Sequence, residues 1–320
     1  MVPFDEEGFK EYMRGEGARW WKEHVVRSSF DSFDGRPQGY VKAAGGDGNK
    51  VLVILHGFVE YADKYHEVIY DMWEHGYTVY LLELRGHGYS WRSVPEIDRV
   101  DIDTFDTYVA DVKCFMDTVV EKEYPDSLKH VLCHSMGGTV GTLFLEKYGD
   151  YFKKAILISP MFRIRFGDAG GCQVKALFSM AEFMKLENRL LPGQKRFSEM
   201  GYDFENSCDT SEERYKYDLT LRINDKHFHL SGGNFRWGRA AVKAMADVVK
   251  PENVKKIKIP VLLCRAGLED VVDSSGFDDF SSLCPDIRDV MFKNAKHEIF
   301  NSRSDTLEIF YRELFSFLDA

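Results

Sequence analysis

Short runs of aliphatic and β-branched residues alternate along most of the chain with longer segments whose apolar positions recur every three or four residues. That alternation predicts helices packed on a largely parallel sheet, an α/β fold. Residues 50–55 (KVLVIL), 78–84, 130–133, 154–160, 259–264 and 290–292 predict strands, and the continuous apolar runs among them suit strands covered on both faces. Between them, Phe105, Val109, Val112, Phe115, Met116 and Val119 share one face of a helix predicted over 103–122. Further helices are predicted over 62–75, closed by Gly76, and over 137–148, 276–283 and 304–318. Residues 27–44 carry Asp34-Gly35 between two extended runs, so the sheet is expected to open with an antiparallel hairpin.

The rhythm changes at Met161 and resumes near residue 251. The stretch between has no convincing buried strand and contains CQVKALFSMAEFMKLENRLLPG, in which apolar residues cover most of a helix circumference. Residues 161–250 are therefore expected to form a helical cap, inserted into a core made of 1–160 and 251–320. There is no internal repeat.

Composition narrows the function classes. Of 320 residues, 44% are hydrophobic and 29% charged, as in a globular chain, and the net charge of -10 leaves no basic stripe for nucleic acid. The one basic run, Lys255 to Lys258, is short and reads as a solvated approach to a strand. Acidic residues at the N-terminus, where a secretory signal needs positive charge, predict a cytoplasmic protein, and no stretch has the roughly 20 apolar residues of a spanning helix. Six cysteines, at 114, 133, 172, 208, 264 and 284, lie far apart and read as free thiols. His227-Phe228-His229 alternates like a strand and lacks a third ligand nearby, so no metal is expected.

The chemistry gathers around Ser135. In Cys133-His134-Ser135-Met136-Gly137-Gly138 an apolar strand precedes the serine and a helix follows, which is the context a nucleophile elbow needs. The usual pattern is G-x-S-x-G; here Cys133 occupies the first glycine position. His56-Gly57-Phe58 ends an earlier strand, where the Phe58 amide can join that of Met136 in receiving an oxyanion. Glu269-Asp270 follows the first strand after the cap, and His297 follows the last strand. The chain order is serine, acid, histidine, each at the C-terminal end of a strand, where α/β folds place their sites.

HGFVEYADKY (56–65), LRGHGYS (84–90), HSMGG (134–138), EDVVD (269–273) and KHEIFNS (296–302) resemble the α/β-hydrolase superfamily, and within it the bacterial lysophospholipase and monoacylglycerol lipase group. SEERYKYDLTLR (211–222) and GGNFRWGRAAVKAM (232–245) look closest to the lysophospholipase branch, and the resemblance runs from about Ser28 to the C-terminus. It implies the α/β-hydrolase fold, a mostly parallel sheet with helices on both faces and an inserted helical cap. Counting nine residues from Pro260, and four back from Asp273, makes Glu269 the triad acid with Asp270 in reserve. Ala266 stands where many relatives have glycine.

The implied reaction is acyl transfer to Ser135 with His297 as base, and it needs no metal or organic cofactor. The implied substrate is a small lipid ester, a lysophospholipid or monoacylglycerol. Phe178, Met180, Phe183, Met184 and Leu186 are expected to supply acyl-chain surface, and Glu60 to meet a polar head group or to cap the helix that follows it. The cap is the expected place for peripheral membrane contact. A serine aminopeptidase or small-ester esterase on the same scaffold, and a non-catalytic binding module, are the alternatives.

Overall fold

The computed structural model describes residues 4–165 and 171–320; within the helix that begins at Gly171, the side chains of Cys172 and Lys175 lie outside those described. Eight strands form one sheet: β1 (Val25–Asp31), β2 (Pro37–Ala43), β3 (Lys50–Leu55), β4 (Thr78–Leu82), β5 (Leu128–His134), β6 (Lys154–Ile158), β7 (Val261–Ala266) and β8 (Ile287–Phe292). Their spatial order is β1-β2-β4-β3-β5-β6-β7-β8. β1 pairs antiparallel with β2, and β2 with β4; every later pairing is parallel. The predicted hairpin is present, with Gly35 at φ 74° in its turn, a conformation that costs glycine little.

Alternation along β3 sorts its side chains to two sides. Val51, Val53 and Leu55 join the core layer built with α4 (Phe105–Phe115), α5 (Met136–Lys147) and α8 (Phe235–Val248). Leu52 and Ile54 join the opposite layer with α3 (His66–Glu74) and α10 (Ser304–Asp319). The remaining helices of eight or more residues are α1 (Glu6–Arg14), α2 (Glu16–His24), α6 (Gly171–Phe183), α7 (Glu212–Asn224) and α9 (Ser275–Leu283).

Several sequence expectations need correction. The helix predicted over 103–122 passes through a π turn at Met116–Val120 and ends at Glu123. The last strand begins at Ile287, three residues before the apolar run, because its first half, Ile287-Arg288-Asp289, carries two charged residues. His227-Phe228-His229 is no strand: Lys226–Phe228 is a 3₁₀ turn capped by the Asp225 side chain, with Phe228 stacked on Tyr61. Of the segment expected to form a cap, α8 sends Ala240, Ala244 and Val248 into the same layer as α4 and α5.

The two N-terminal helices have no counterpart in the sequence reading. Phe9, Tyr12 and Met13 of α1 form a small cluster with Tyr70 and with Tyr217 of α7. Beneath them, buried Arg214 of α7 grips both carboxylate oxygens of Glu67, at 2.6 and 2.7 Å, and donates to the Phe4 carbonyl. An ion pair this deep is costly to break from one side, because the survivor is left charged and buried.

Candidate active site

β3, β5, β6 and β7 run parallel and point their C-terminal ends to the same edge, Leu55 beside Cys133, His134 beside Ile158 and Ile158 beside Cys264. The loops that leave these ends therefore meet along one edge. Ser135 is the residue between β5 and α5, at φ 49° and ψ -114°. A non-glycine residue there carries about 1–3 kcal/mol of strain and persists only where its surroundings hold it. They do: the Ser135 amide donates to Ile158 O at 3.0 Å, and its carbonyl accepts from Met161 N at 2.8 Å and Gly138 N at 2.9 Å. The glycines that follow allow the close fit, since a Cβ on Gly137 would overlap Leu55 O and one on Gly138 would overlap Pro160.

His297 Nε2 lies 2.8 Å from Ser135 Oγ, and its Nδ1 lies 2.8 and 3.0 Å from the two oxygens of Glu269. Glu269 Oε1 also accepts from Val271 N at 2.9 Å and Val272 N at 3.1 Å. Burial works to raise the Glu269 carboxyl, but His297 and these two amides outweigh it and hold the group below its ordinary value. Asp270 is exposed and makes no hydrogen bond to His297. Of the two neighbours, the structure brings Glu269 to the histidine.

Met136 opens α5, so its amide is one of the first-turn donors without an intrahelical acceptor. Phe58 sits on a turn held from both sides. His56 Nε2 accepts from Leu84 N at 2.9 Å, which leaves Nδ1 to donate to Gly57 O at 2.7 Å; burial lowers the ring's pKa and keeps it neutral. Val59, at φ 57°, is a β-branched residue in the left-handed region, a second point of strain beside the serine.

Glu60 has inward partners beyond those expected of it. Only 3% exposed, its Oε2 accepts from Gly57 N at 2.5 Å and Tyr65 OH at 2.6 Å and lies 3.2 Å from His134 Nδ1. Lys64 Nζ stands 3.3 Å from Glu60 and 2.6 Å from Glu298. Burial would raise the Glu60 carboxyl, but His134 and Lys64 hold it well below its usual range. Glu60 thus ties the Phe58 loop to the residue before Ser135, and it also lines a second cavity beside Phe58, so the inward role does not displace a head-group contact.

A cavity of about 740 Å³ opens on Ser135. Its walls are mostly apolar and include Phe58, Val174, Phe178, Trp237 and Ala241, with Phe58 stacked on Trp237 at 4.0 Å between centroids. Phe178 is where the sequence placed it. Phe183 and Met184, expected beside it, are 89% and 57% exposed, and Met180 also faces outward. The reason is helical phase: Val174, Phe178 and Ala181 form the inward stripe of α6, so positions 180 and 183 fall on its other side.

An eight-stranded, mostly parallel sheet with helices on both sides, carrying these loops at one edge, is the α/β-hydrolase fold. Residues 46–304 match the family described as serine aminopeptidase, S33, and the chain belongs to that family. Among curated relatives it is similar to a probable lysophospholipase L2 of Haemophilus influenzae, 28% identical over 250 residues that cover 78% of this chain and 77% of the relative. It is also similar to the mouse monoglyceride lipase, 26% identical over 75% of this chain and 70% of that one. Among solved structures, a thermostable carboxyl esterase from Bacillus coagulans aligns with a TM-score of 0.74 at 17% identity, covering 92% of this chain and 98% of the other. A soluble variant of the Saccharomyces cerevisiae monoglyceride lipase aligns at 0.71 and 19%, covering 92% and 94%. These relatives place the chain in the lysophospholipase and monoacylglycerol lipase group.

Proposed function

We propose that this carboxylic ester hydrolase cleaves the ester of single-chain lipids, lysophospholipid or monoacylglycerol, through an acyl-enzyme on Ser135. The observation that carries the reading is the hydrogen-bonded chain from Ser135 through His297 to Glu269, opening into a large apolar cavity. His297 Nε2 takes the hydroxyl proton as Oγ attacks the carbonyl carbon, while Glu269 holds the other ring nitrogen and balances the imidazolium. The Phe58 and Met136 amides receive the oxyanion; one such donor is worth about 3 kcal/mol. As the tetrahedral species collapses, His297 gives its proton to the leaving alcohol. Water then repeats the steps and releases the fatty acid.

The acyl chain lies along Phe178, Trp237 and Ala241. Residues 161–250 act as the cap, with α8 as its anchor to the core. The outward Met180, Phe183 and Met184 suit peripheral contact with a lipid surface. Among the described residues no helix is long and apolar enough to cross a membrane.

The family's description makes a serine aminopeptidase the second reading. Such a substrate needs an acidic partner for its free amine, and among the described residues lining the Ser135 cavity the one charged residue is Arg165. The experiment compares acyl esters of rising chain length with aminoacyl amides, in the wild type and in Ser135→Ala. Ester turnover that survives this substitution refutes the acyl-enzyme. Absence of labelling by a fluorophosphonate would leave a non-catalytic binding module.

A further inference from the structure

A second cavity, of about 500 Å³, shares Phe58 with the first and lies on the side of Glu298, the residue after His297. Histidine delivers its proton to the leaving alcohol, so the leaving group belongs on this side of the serine. The lining is of another kind from the apolar one. Lys64 is already matched by Glu60 and Glu298. Three further carboxylates remain. Asp203 is exposed and accepts from Asn206 Nδ2 at 2.8 Å. Asp218 accepts from Tyr61 OH at 2.6 Å. Asp209 is only 6% exposed, and no donor among the described residues reaches its Oδ1.

A buried acceptor left without a donor is costly and rare in a finished fold, and it marks a place where a ligand can supply the missing N–H. Beside Asp209 stands another carboxylate, Glu298; burial first, then that neighbour, raises the Asp209 carboxyl well above its usual range, against the opposing pull of Lys64. A bound cation relieves both costs. One positive charge in the same lining is free of any ion pair among the described residues. Arg222 donates to the carbonyls of Phe228 and Leu230 and lies over the Phe197 ring at 5.1 Å.

We propose that this cavity is the head-group subsite and takes a zwitterionic aminoalkyl phosphodiester, its phosphate toward Arg222 and its primary ammonium toward Asp209 and Asp218. A primary ammonium is specified because Asp209 needs an N–H donor, which a trimethylammonium lacks. An anionic head group would leave the acids unmet, and a neutral glycerol would leave both signs unmet. The proposal rests on the lipid-esterase reading above.

The test measures kcat/KM of the full chain for lysophosphatidylethanolamine, lysophosphatidylglycerol and monoacylglycerol with one acyl chain, each below its micellar concentration. 4-Nitrophenyl octanoate, which has no head group, is run beside them. The wild type is expected to favour the ethanolamine lipid over each of the others at least tenfold. Asp209→Asn should bring the ethanolamine-to-glycerol ratio close to one; as a ratio within one preparation it is unaffected by the fraction of folded protein. On the wild type, O-phosphoethanolamine should slow nitrophenyl ester hydrolysis more than glycerol 3-phosphate does. Equal turnover of the three lipids, or an unchanged ratio in the variant, overturns the subsite while the nitrophenyl ester is still cleaved. Failure to cleave that ester would bring down the esterase reading first, and the subsite with it.

Discussion

The sulfur of Cys133 rests against Gly141: a Cβ built on Gly141 would overlap Sγ, and both residues are buried. The side chain that replaces a small residue before the nucleophile is thus taken up one turn into α5, and Ser135 keeps its strained conformation. Gly141→Ala is expected to destabilise by about 1–3 kcal/mol through overpacking. Combining it with Cys133→Gly should recover most of that loss, a coupling that urea unfolding of the two single variants and the double variant measures.

Glu60 touches the Gly57 amide and the His134 ring, so on the proposed mechanism it acts through the backbone that carries Phe58 and Ser135. Glu60→Gln should lower kcat by about tenfold to a hundredfold, as a displaced oxyanion donor does, and leave KM for a medium-chain ester little changed. A rise in KM alone would instead make Glu60 a substrate contact.

Glu146 in α5 has a buried Oε1 without a partner among the described residues. Burial pushes its carboxyl up to about 8, with Lys256 opposing and Asp247 adding. Below about pH 4.5 the folded and unfolded chains both hold the proton, and the burial costs nothing. Above it the unfolded chain ionises first, so the folded state loses up to about 1.4 kcal/mol per pH unit until pH 8. Glu146→Gln should therefore raise the melting temperature at pH 7 and leave it unchanged near pH 4, which a thermal series across that range tests.

Ala241 is fully enclosed in the wall of the Ser135 cavity. Ala241→Phe fills space there, and the ratio of turnover for a sixteen-carbon ester to that for a four-carbon ester should fall at least tenfold. An unchanged ratio would place the acyl chain elsewhere.

The sheet and the three loops at its edge were readable from the sequence, because buried strands are continuous apolar runs and the elbow demands small residues at set positions. Ser135 and His297 stood out for that reason, and counting along the chain separated Glu269 from Asp270. What stayed hidden depends on partners far along the chain. The helices α1 and α2 are nine residues each and highly charged, and they are held through Phe9, Tyr12 and Trp20 against elements some 50 to 200 residues away. An apolar sequence such as that of α6 has no single stripe to set its phase, so Phe183 and Phe178 looked alike. Glu60 gave no sign that its carboxylate faces inward.

His297 reaches the serine only once β8 has paired with β7, and β8 is the last strand to leave the ribosome. On the proposed mechanism, a nascent chain stopped before β8 holds Ser135, the Phe58 and Met136 amides and most of the apolar cavity, yet has nothing to draw off the hydroxyl proton. Esterase turnover would consequently report completion of the whole sheet, and a chain made only as far as β7 would be silent in that assay.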